Sequence, residues 1–507
     1  MSDANGVTAF DTVRRLTAEA AMRMRGSPHE AGVTAISDRL AGPLTLAIAG
    51  RVKAGKSTLL NALVGERLAP TDAGECTRVV CWYHEGIGYE VQALLRDGAV
   101  APVPFTRHDG ALVMDVGRFD LATVDRLDVS WPSSALRTLT LVDTPGLASL
   151  NDENSLRTRE FLAMGESRPS DADAVVYLMR HLHRKDAEFL GAFCDRGVVA
   201  SSPVNAVAVL SRADEIGAGR LDALDSAIRI AARYTADDDV RGLCASVIPV
   251  AGLLAETGQT WREQEASAVR ALAVTPRAEL ELMLVSADEF VEPSASELTV
   301  ELRRDLLARL GMFGLRFLVT EVFAGRVNTA GEMSRALVAR SGLDALRSFI
   351  SEHFLPRTQV LKARSALAGL RALARPLSAA DPTTASWLLA EVERLEAASH
   401  EFGLLRLGHL VATGMVRLSS DERADVDRIV AGGSLAQRLG ASDGEPPEAL
   451  RSRALEGLER WRLRGSDPMA DGPTVEVADT MARGYEAVYL AACEPAAPAS
   501  PWAPPTV

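Results

Sequence analysis

The sequence has little lysine, cysteine or aromatic side chain. Only four of its 55 basic residues are lysines, and arginine supplies the rest, a bias typical of proteins from GC-rich bacterial genomes. The five cysteines form no C-x-x-C motif, which argues against a structural zinc site and favours a reducing cytosol. Aromatic residues make up 5% of the chain while alanine, leucine and arginine are abundant, so helices are favoured.

The net charge and the hydropathy pattern argue against further classes of protein. A net charge of −13 argues against a general nucleic-acid binder, because neutralising phosphates needs a basic surface. No run of about 18 apolar residues occurs, and the first residues lack the pattern of a secretory signal, so any membrane contact is expected to be peripheral. At 507 residues the chain is too long for one compact core, and two or three domains are expected.

The strongest motif is GRVKAGKST at residues 50–58, which matches G-x-x-x-x-G-K-[ST] and follows the apolar run 44–49. Such a loop turns successive backbone N–H groups toward a phosphate. Lys56 is expected to reach the β- and γ-phosphates, and the Ser57 hydroxyl to ligate Mg²⁺. The predicted nucleotide-binding residues of the loop are Lys53, Ala54, Gly55, Lys56, Ser57 and Thr58. The alternative is an ordinary glycine-rich turn.

A second motif, Asp143-Thr144-Pro145-Gly146, ends another apolar run about ninety residues later. A carboxylate at Asp143 can hold Mg²⁺, usually through water, and the Gly146 N–H can sense the γ-phosphate, which makes the following loop a switch. The alternative is an aspartate-capped turn.

A third motif, Ser211-Arg212-Ala213-Asp214, stands where guanine-reading NTPases carry [NT]-K-x-D. Asp214 can accept from both N1–H and the exocyclic amino group of guanine, which adenine does not offer together. Arg212 can pack its stem on the purine face as well as a lysine can. Serine for asparagine or threonine is a departure, so ATP binding or weak selectivity stays open.

The order of apolar segments predicts the fold of this part. From residue 44 onward strands and helices alternate, with strands expected at 44–49, 89–95, 127–131, 136–142, 174–179, 206–210 and 246–250. This alternation indicates an α/β P-loop domain with a mostly parallel sheet, and the nucleotide is expected at the carboxyl ends of its strands.

These motifs, with residues 65–78 and the segments KAGKSTLLNALVG, VDTPG, SRADEIGAGR and GMFGLR, resemble the dynamin superfamily. More closely, they are similar to the short bacterial dynamin-like GTPases of actinobacteria typified by the isoniazid-inducible (Ini-type) mycobacterial proteins. The similarity extends over nearly all of the chain. It implies GTP and GDP as nucleotides and Mg²⁺ as cofactor.

The resemblance also assigns roles to single residues. The switch I threonine that binds Mg²⁺ and places the attacking water matches Thr77, with Thr71 as second choice. After Asp-Thr-Pro-Gly stands Leu147, which cannot orient water, and family members without a glutamine there dimerise across the nucleotide. Lys53, two residues before Gly55, is a candidate for neutralising charge as an arginine finger does, unless it is a solvated lysine. Ala251 resembles the base-contacting fifth loop, although alone its segment is a buried strand and turn.

The domain organisation follows from the helices on either side of the nucleotide domain. The prediction is N-terminal bundle helices at 1–43, the GTPase domain at 44–356 including a helical insertion, a C-terminal helical bundle at 357–493 and a disordered tail at 494–507. Both chain ends are expected to build one bundle, as in a dynamin stalk. Residues 402–418, apolar with interspersed cations, are the candidate for contact with lipid headgroups, and a core hairpin of the bundle is the alternative.

The predicted activity is hydrolysis of GTP to GDP and phosphate, coupled to membrane remodelling or envelope-stress maintenance. The resemblance implies a nucleotide-dependent homodimer or a heterodimer with a dynamin-like paralogue, located in the cytoplasm or peripherally at the inner face of the plasma membrane. Two alternatives stay open. One is a regulatory nucleotide-binding partner with weak hydrolysis, favoured by Ser211, and the other is a soluble signalling or assembly GTPase.

Overall fold

The computed structural model describes residues 8–70, 79–108, 110–146, 171–181, 186–188, 190, 205–292, 298–412, 416–431, 434–442 and 444–493. Thr71, Thr77 and Leu147 lie outside the described residues.

The strands of the described residues form one large sheet and a separate hairpin. They are β1 (Leu44–Gly50), β2 (Val80–Glu85), β3 (Glu90–Leu95), β4 (Val100–Pro102), β5 (Phe105–His108), β6 (Ala111–Met114), β7 (Val124–Trp131), β8 (Leu139–Asp143), β9 (Ala174–Met179), β10 (Ala206–Ser211) and β11 (Val247–Val250). The large sheet has the order β11, β10, β9, β1, β8, β2, β7, β3, β4, and β5 pairs with β6.

One half of the large sheet is parallel and carries the sequence motifs. β1 lies between β8 and β9, and β10 and β11 continue the sheet beyond β9, all in parallel register. β1, β9 and β10 are buried along their whole length, as expected of strands covered on both faces. The carboxyl ends of these strands meet at one edge, where Gly50 pairs with Leu178. The predicted α/β fold with a mostly parallel sheet is confirmed.

The other half of the sheet is mixed. β2 runs parallel to β7 but antiparallel to β8, and β3 and β4 are antiparallel to their neighbours. β2, β4 and the β5–β6 hairpin were not among the expected strands. The hairpin adjoins the chain that follows the phosphate loop's helix, since the Leu112 N–H donates to the Arg67 carbonyl at 2.8 Å.

The helices surround the sheet and continue beyond it. Before and beside the sheet lie α1 (Ala9–Arg23), α2 (Glu30–Ala41), α3 (Lys56–Val64), α4 (Ala223–Ala236), α5 (Asp238–Arg241), α6 (Gly252–Gln259), α7 (Glu263–Ala273), α8 (Arg277–Met283), α9 (Ala287–Val291), α10 (Val300–Phe323), α11 (Ala330–Ser341) and α12 (Leu343–Phe349). Next come α13 (Thr358–Ala380), α14 (Pro382–Ala398), α15 (His400–Ala412), α16 (Ser420–Ala431), α17 (Leu435–Leu439), α18 (Pro447–Gly465) and α19 (Gly472–Cys493).

Alternate residues of the central strands face two different cores. Val175, Tyr177 and Met179 of β9 pack with α4, α6, α7 and α10 on one face. The residues between them, Val176 and Leu178, pack with α3 and α12 on the other. A strand with apolar residues at every position is thus explained by helices on both faces of the sheet.

The remaining helices form two further apolar clusters. The first joins α1 and α2 from the N-terminal side to α13 and α14, with Val13, Ile36, Leu370 and Leu388 fully or almost fully buried. The second lies among α15 to α19. The expected bundle built from both sides of the sheet domain is confirmed, whereas the boundaries at 44 and 356 stay a prediction.

Buried charges join the bundle to the amino ends of the sheet strands. Lys362 of α13 is 3% exposed, its ammonium lies 3.6 Å from Asp173 Oδ2, and it donates to the Arg39 carbonyl. Asp173 Oδ2 in turn accepts the Thr45 N–H at 2.9 Å, at the start of β1. A second pair, Arg39 with Asp171 at 2.7 Å, lies beside it.

The stretch 402–418 does not present an apolar surface in its described part. Phe402 and Leu405 belong to the first bundle cluster, while Leu407, Leu410 and Val416 belong to the second. The structure therefore favours the alternative, a core segment of the bundle, because these residues are buried in two neighbouring apolar clusters. None of the described helices combines the length and the apolar content that crossing a membrane requires.

Candidate nucleotide-binding site

The phosphate-loop residues adopt the conformation that their sequence predicts. β1 ends at Gly50, Lys53 and Gly55 have left-handed φ values of 62° and 95°, and α3 begins at Lys56. The Ala54 N–H donates to the Arg51 carbonyl at 3.1 Å, which closes the turn. The first N–H groups of α3 and its dipole thus face the edge where the parallel strands end, so this edge favours an anion.

Lys56 is buried inside the curl of the loop. Its Nζ donates to the Arg51 carbonyl at 3.3 Å. Burial lowers the pKa of Lys56, and the nearby Asp143 carboxylate opposes that shift. A cation held in this way is already desolvated and aligned, which strengthens its attraction to a phosphate oxygen.

Ser57 and Asp143 form the pair predicted to hold magnesium. The Ser57 hydroxyl donates to Asp143 Oδ2 at 2.6 Å, which brings the first and second motifs together. Asp143 Oδ1 is buried and has no hydrogen-bond partner among the described residues. Burial raises the pKa of Asp143, while Lys56 and Ser57 act in the opposite direction. A hydroxyl and an unsatisfied carboxylate oxygen side by side are ligands that Mg²⁺ prefers, so the residues present fit this ion.

The second motif lies directly on the phosphate loop. Thr144 donates through Oγ1 to the Ile48 carbonyl at 3.0 Å, which fixes the motif to β1. Gly146 follows so closely that a Cβ there would lie 2.6 Å from Val52 Cγ2 and 2.8 Å from Val52 Cα. Only glycine fits this contact, and its position beside the phosphate loop agrees with the expected sensing role.

The third motif joins the phosphate loop through its arginine. Arg212 has a left-handed φ of 54°, and its Nη2 donates to the Lys53 carbonyl at 2.9 Å while Nη1 pairs with Glu215 at 2.7 Å. Ser211, the departure from the usual pattern, turns its hydroxyl to the Met179 carbonyl at 3.2 Å and so fastens β10 to β9. Asp214 is buried, and that burial raises its pKa to about 6.

The phosphate loop and the third motif line a cavity of about 160 Å³ at the edge of the sheet. Its lining includes the predicted residues Ala54, Gly55, Thr58, Arg212 and Asp214. Leu178 and Leu253 also line it, although the sequence reasoning did not identify them. Only their positions in the sequence could have indicated them, since each residue lies close to the carboxyl end of a parallel strand.

Ala251, the predicted residue of the base-contacting fifth loop, lies beside the cavity. Its neighbours Val250 and Gly252 line the cavity, but Ala251 itself does not. The Ala251 N–H donates to the Ser341 carbonyl at 2.8 Å, and its side chain is fully buried. The residue therefore fastens the end of β11 to α11.

A buried polar network behind the phosphate loop was also missed. Asn61 of α3 accepts the Leu68 and Ala69 N–H groups at 2.9 and 2.7 Å, and its amide donates to Glu256 at 3.3 Å. Glu256 of α6 also accepts from Arg67 at 3.1 Å. The network shapes the chain just before Thr71 and Thr77. No short sequence pattern predicts this network, because Asn61 and Glu256 are far apart in the sequence.

The comparisons with known proteins agree with this geometry. The Dynamin family model matches residues 46–191. The isoniazid-induced protein IniC of Mycobacterium tuberculosis is 41% identical over 460 residues, which is 89% of this chain and 91% of that protein. A bacterial dynamin-like protein of Nostoc punctiforme is 29% identical over 150 residues, covering 27% of this chain and 20% of that protein.

A solved structure described as an oligomerised bacterial dynamin pair for long-range sensing and tethering of membranes matches 95% of this chain and 75% of its own. Its identity is 14% and its TM-score 0.28, which does not establish a common overall arrangement. The family assignment rests on the similarity to the mycobacterial protein over nine-tenths of the sequence, together with the matched domain. The chain belongs to the dynamin family and carries a dynamin-type GTPase domain, which implies binding of GTP and GDP.

Proposed function

We propose that this protein is a Mg²⁺-dependent GTPase that hydrolyses GTP to GDP and phosphate. The observation that carries the proposal is the Ser57 hydroxyl 2.6 Å from the buried Asp143 carboxylate, beside the buried Lys56. Part of the phosphate loop lines a cavity, and Asp214, at the position of a guanine-reading aspartate, lines the same cavity. This arrangement supports phosphate, metal and base functions at one edge of the sheet.

Each residue has a defined task in the proposed reaction. Lys56 binds the β- and γ-phosphate oxygens, and Asp214 accepts from the guanine N1–H and amino groups. Ser57 and Asp143 would hold Mg²⁺, which would supply neutralisation of the phosphate charge. Thr77 is proposed as a further magnesium ligand that places the attacking water. The bond from the γ-phosphorus to the bridging oxygen breaks as the water oxygen attacks. GDP leaves with the electron pair of that bond, one water proton stays on the phosphate and the other passes to solvent.

Lys53 is proposed to neutralise the charge that builds on the bridging oxygen. It is exposed at the rim of the loop, and Arg212 holds its backbone carbonyl. Because its φ of 62° is unusual for a residue with a side chain, the backbone at Lys53 needs such a restraint. A catalytic contact from this position is expected in the transition state, where the negative charge is largest.

Coupling to a lipid membrane, at the inner face of the plasma membrane, is part of the proposal and rests on the family resemblance alone. So does assembly, either as a homodimer across the nucleotide or with a dynamin-like paralogue. The second candidate function is a regulatory partner that binds nucleotide and hydrolyses it poorly. Ser211 favours this candidate, since its hydroxyl donates to the Met179 carbonyl and that proton is then not available for a base.

Steady-state turnover of GTP and ATP tests the proposal, measured over a series of protein concentrations with and without anionic liposomes. Selective GTP turnover that rises per molecule with concentration and with liposomes supports a self-assembling enzyme. Lys56→Ala should lower turnover by about 100-fold or more, because it removes a preorganised cation from the phosphates. Lys53→Ala, in the same loop, should lower only the additional GTP turnover that appears at high protein concentration or with liposomes. Flat and slow turnover with tight GTP binding would reject the autonomous enzyme in favour of the regulatory partner.

A further inference from the structure

One arginine of the helical insertion holds the loop that carries Asp214. This base loop, residues 211–219, follows β10, and Arg316 of α10 donates through Nη1 to its last two carbonyls, Ala218 at 2.9 Å and Gly219 at 2.7 Å. The same guanidinium donates through Nε to Leu284 at 2.9 Å and through Nη2 to Val285 at 2.8 Å. One side chain thus fastens the base loop to the chain after α8.

The end of the base loop needs such a restraint. Gly217, Ala218 and Gly219 have left-handed φ values of 62°, 60° and 68° in succession. A residue with a Cβ, such as Ala218, adopts this conformation only at a cost, and it persists where surrounding contacts fix it. A guanidinium suits the task because its five N–H donors are held in one plane, whereas a lysine has a single ammonium.

The same helix passes beside Asp214 through a break in its backbone. Gly311 has φ 61° and ψ 179°, a conformation open only to glycine, and it interrupts α10. A Cβ at Gly311 would lie 3.8 Å from Asp214 Oδ2 and 3.8 Å from Leu253 Cδ2. Two residues on, the Phe313 N lies 3.4 Å from where a Cβ of Gly219 would be. The chain around the break, from Gly311 to Phe313, therefore lies against both ends of the segment from Asp214 to Gly219.

We propose that Arg316 is a positioning residue for guanine recognition, and that the break at Gly311 completes the base site, so the helical insertion helps to set nucleotide specificity. This inference rests on the proposed guanine-nucleotide function. Arg316 acts through the base loop and does not touch the nucleotide. Its loss should let the strained turn at 217–219 relax and move the Asp214 carboxylate out of line with the purine edge.

Binding of GDP, IDP and ADP to the purified full chain tests the inference. IDP lacks the exocyclic amino group, so the ratio of the IDP and GDP dissociation constants reports whether Asp214 is correctly placed. In the wild type this ratio should be about tenfold or more. In Arg316→Ala it should fall toward one, with GDP weakened more than IDP, because GDP loses two hydrogen bonds to Asp214 and IDP only the one from N1–H.

Arg303→Ala is the matched control. Arg303 is also in α10 and also donates to backbone carbonyls, those of Phe290 and Glu292, which are outside the base loop. Its replacement should lower the melting temperature at least as much as Arg316→Ala, since Arg303 is 2% exposed, and leave the IDP to GDP ratio unchanged. The control thereby separates a loss of stability from a loss of specificity.

Two further variants cover the case that Arg316→Ala does not fold. Arg316→Lys keeps the charge and part of the bonding, and it should give an intermediate ratio. Gly311→Ala should also lower the ratio, because alanine cannot hold the backbone that passes Asp214. Equal weakening of GDP and IDP, or an unchanged ratio in the folded variants, would overturn the inference. A wild type that binds ADP or IDP as tightly as GDP would instead overturn the guanine-nucleotide function itself.

Discussion

The buried ion pair between Lys362 and Asp173 gives a prediction whose size follows from the structure. Both side chains are almost fully buried, at 3% and 8% exposure, so solvent screens the pair little. Lys362→Met leaves the Asp173 carboxylate buried without its cation and the Arg39 carbonyl without its donor. Removing one partner of such a pair costs about 3–5 kcal/mol.

Adding Asp173→Asn to Lys362→Met should recover most of the lost free energy of unfolding. In Lys362→Met with Asp173→Asn, the asparagine oxygen can still accept the Thr45 N–H that Asp173 Oδ2 accepts at 2.9 Å, and no charge stays buried. The double variant should therefore lose only about 1–2 kcal/mol relative to the wild type. Urea unfolding followed by far-ultraviolet circular dichroism gives the free energies of the four members of the cycle.

The refuting results for this cycle are specific. A single Lys362→Met variant that loses less than about 1 kcal/mol would show that the pair is hydrated in solution. Additive losses in the double variant would show that the two side chains act independently. Arg394→Ala is a suitable control, because Arg394 pairs with Glu391 on the exposed surface of α14 and should cost at most about 0.5 kcal/mol.

Two further predictions concern the nucleotide site. Gly146→Ala should lower GTP turnover about 100-fold, since a Cβ 2.8 Å from Val52 Cα forces the phosphate loop to move by nearly 1 Å, and Gly331→Ala, whose Cβ would meet only the Arg335 Nη1 at 3.6 Å, should leave turnover unchanged. Near-wild-type turnover in Gly146→Ala would show that the contact opens easily. The raised pKa of Asp214, about 6, predicts that GDP affinity weakens as the pH falls through that value, because the protonated acid can no longer accept from both guanine donors. GDP binding measured from pH 5 to 8 beside Asp214→Asn checks this, and the variant should lose the dependence.

Local patterns predicted the parallel half of the sheet well because its strands are apolar at every position. Ala174–Met179 has the bounds expected from the sequence, since polar residues and turns delimit it on both sides. β2 was missed because its apolar or aromatic run, Val80 to Tyr83, is only four residues long, and β8, its antiparallel partner, lies nearly sixty residues later. Pairing at that distance leaves no periodic trace within a short segment.

The site was predictable wherever chemistry demands a residue at a fixed spacing. The Ser57 hydroxyl donates to Asp143, and Asp214 lines a cavity together with Ala54, Gly55 and Thr58 of the phosphate loop. Arg316 was beyond such reasoning, since its acceptors are backbone carbonyls, which any residue supplies. The apolar stretch at Phe402 was ambiguous for a related reason, because contact with two protein cores and contact with lipid select the same residue types.

The position of β1 has a mechanical consequence. This strand is about 20 Å long, and neighbours bond it along both sides, so its length cannot change. Its far end is tied to the bundle through Thr45, Asp173 and Lys362. A second strut runs alongside, because the last carbonyls of α3, at Ala62 and Leu63, accept from Arg347 at 3.0 and 3.3 Å. Both members start at the phosphate loop; β1 reaches the bundle directly, and α3 reaches α12, which precedes the bundle helix α13. Because neither member can shorten, a small displacement of the loop is expected to be passed on toward the bundle instead of being absorbed.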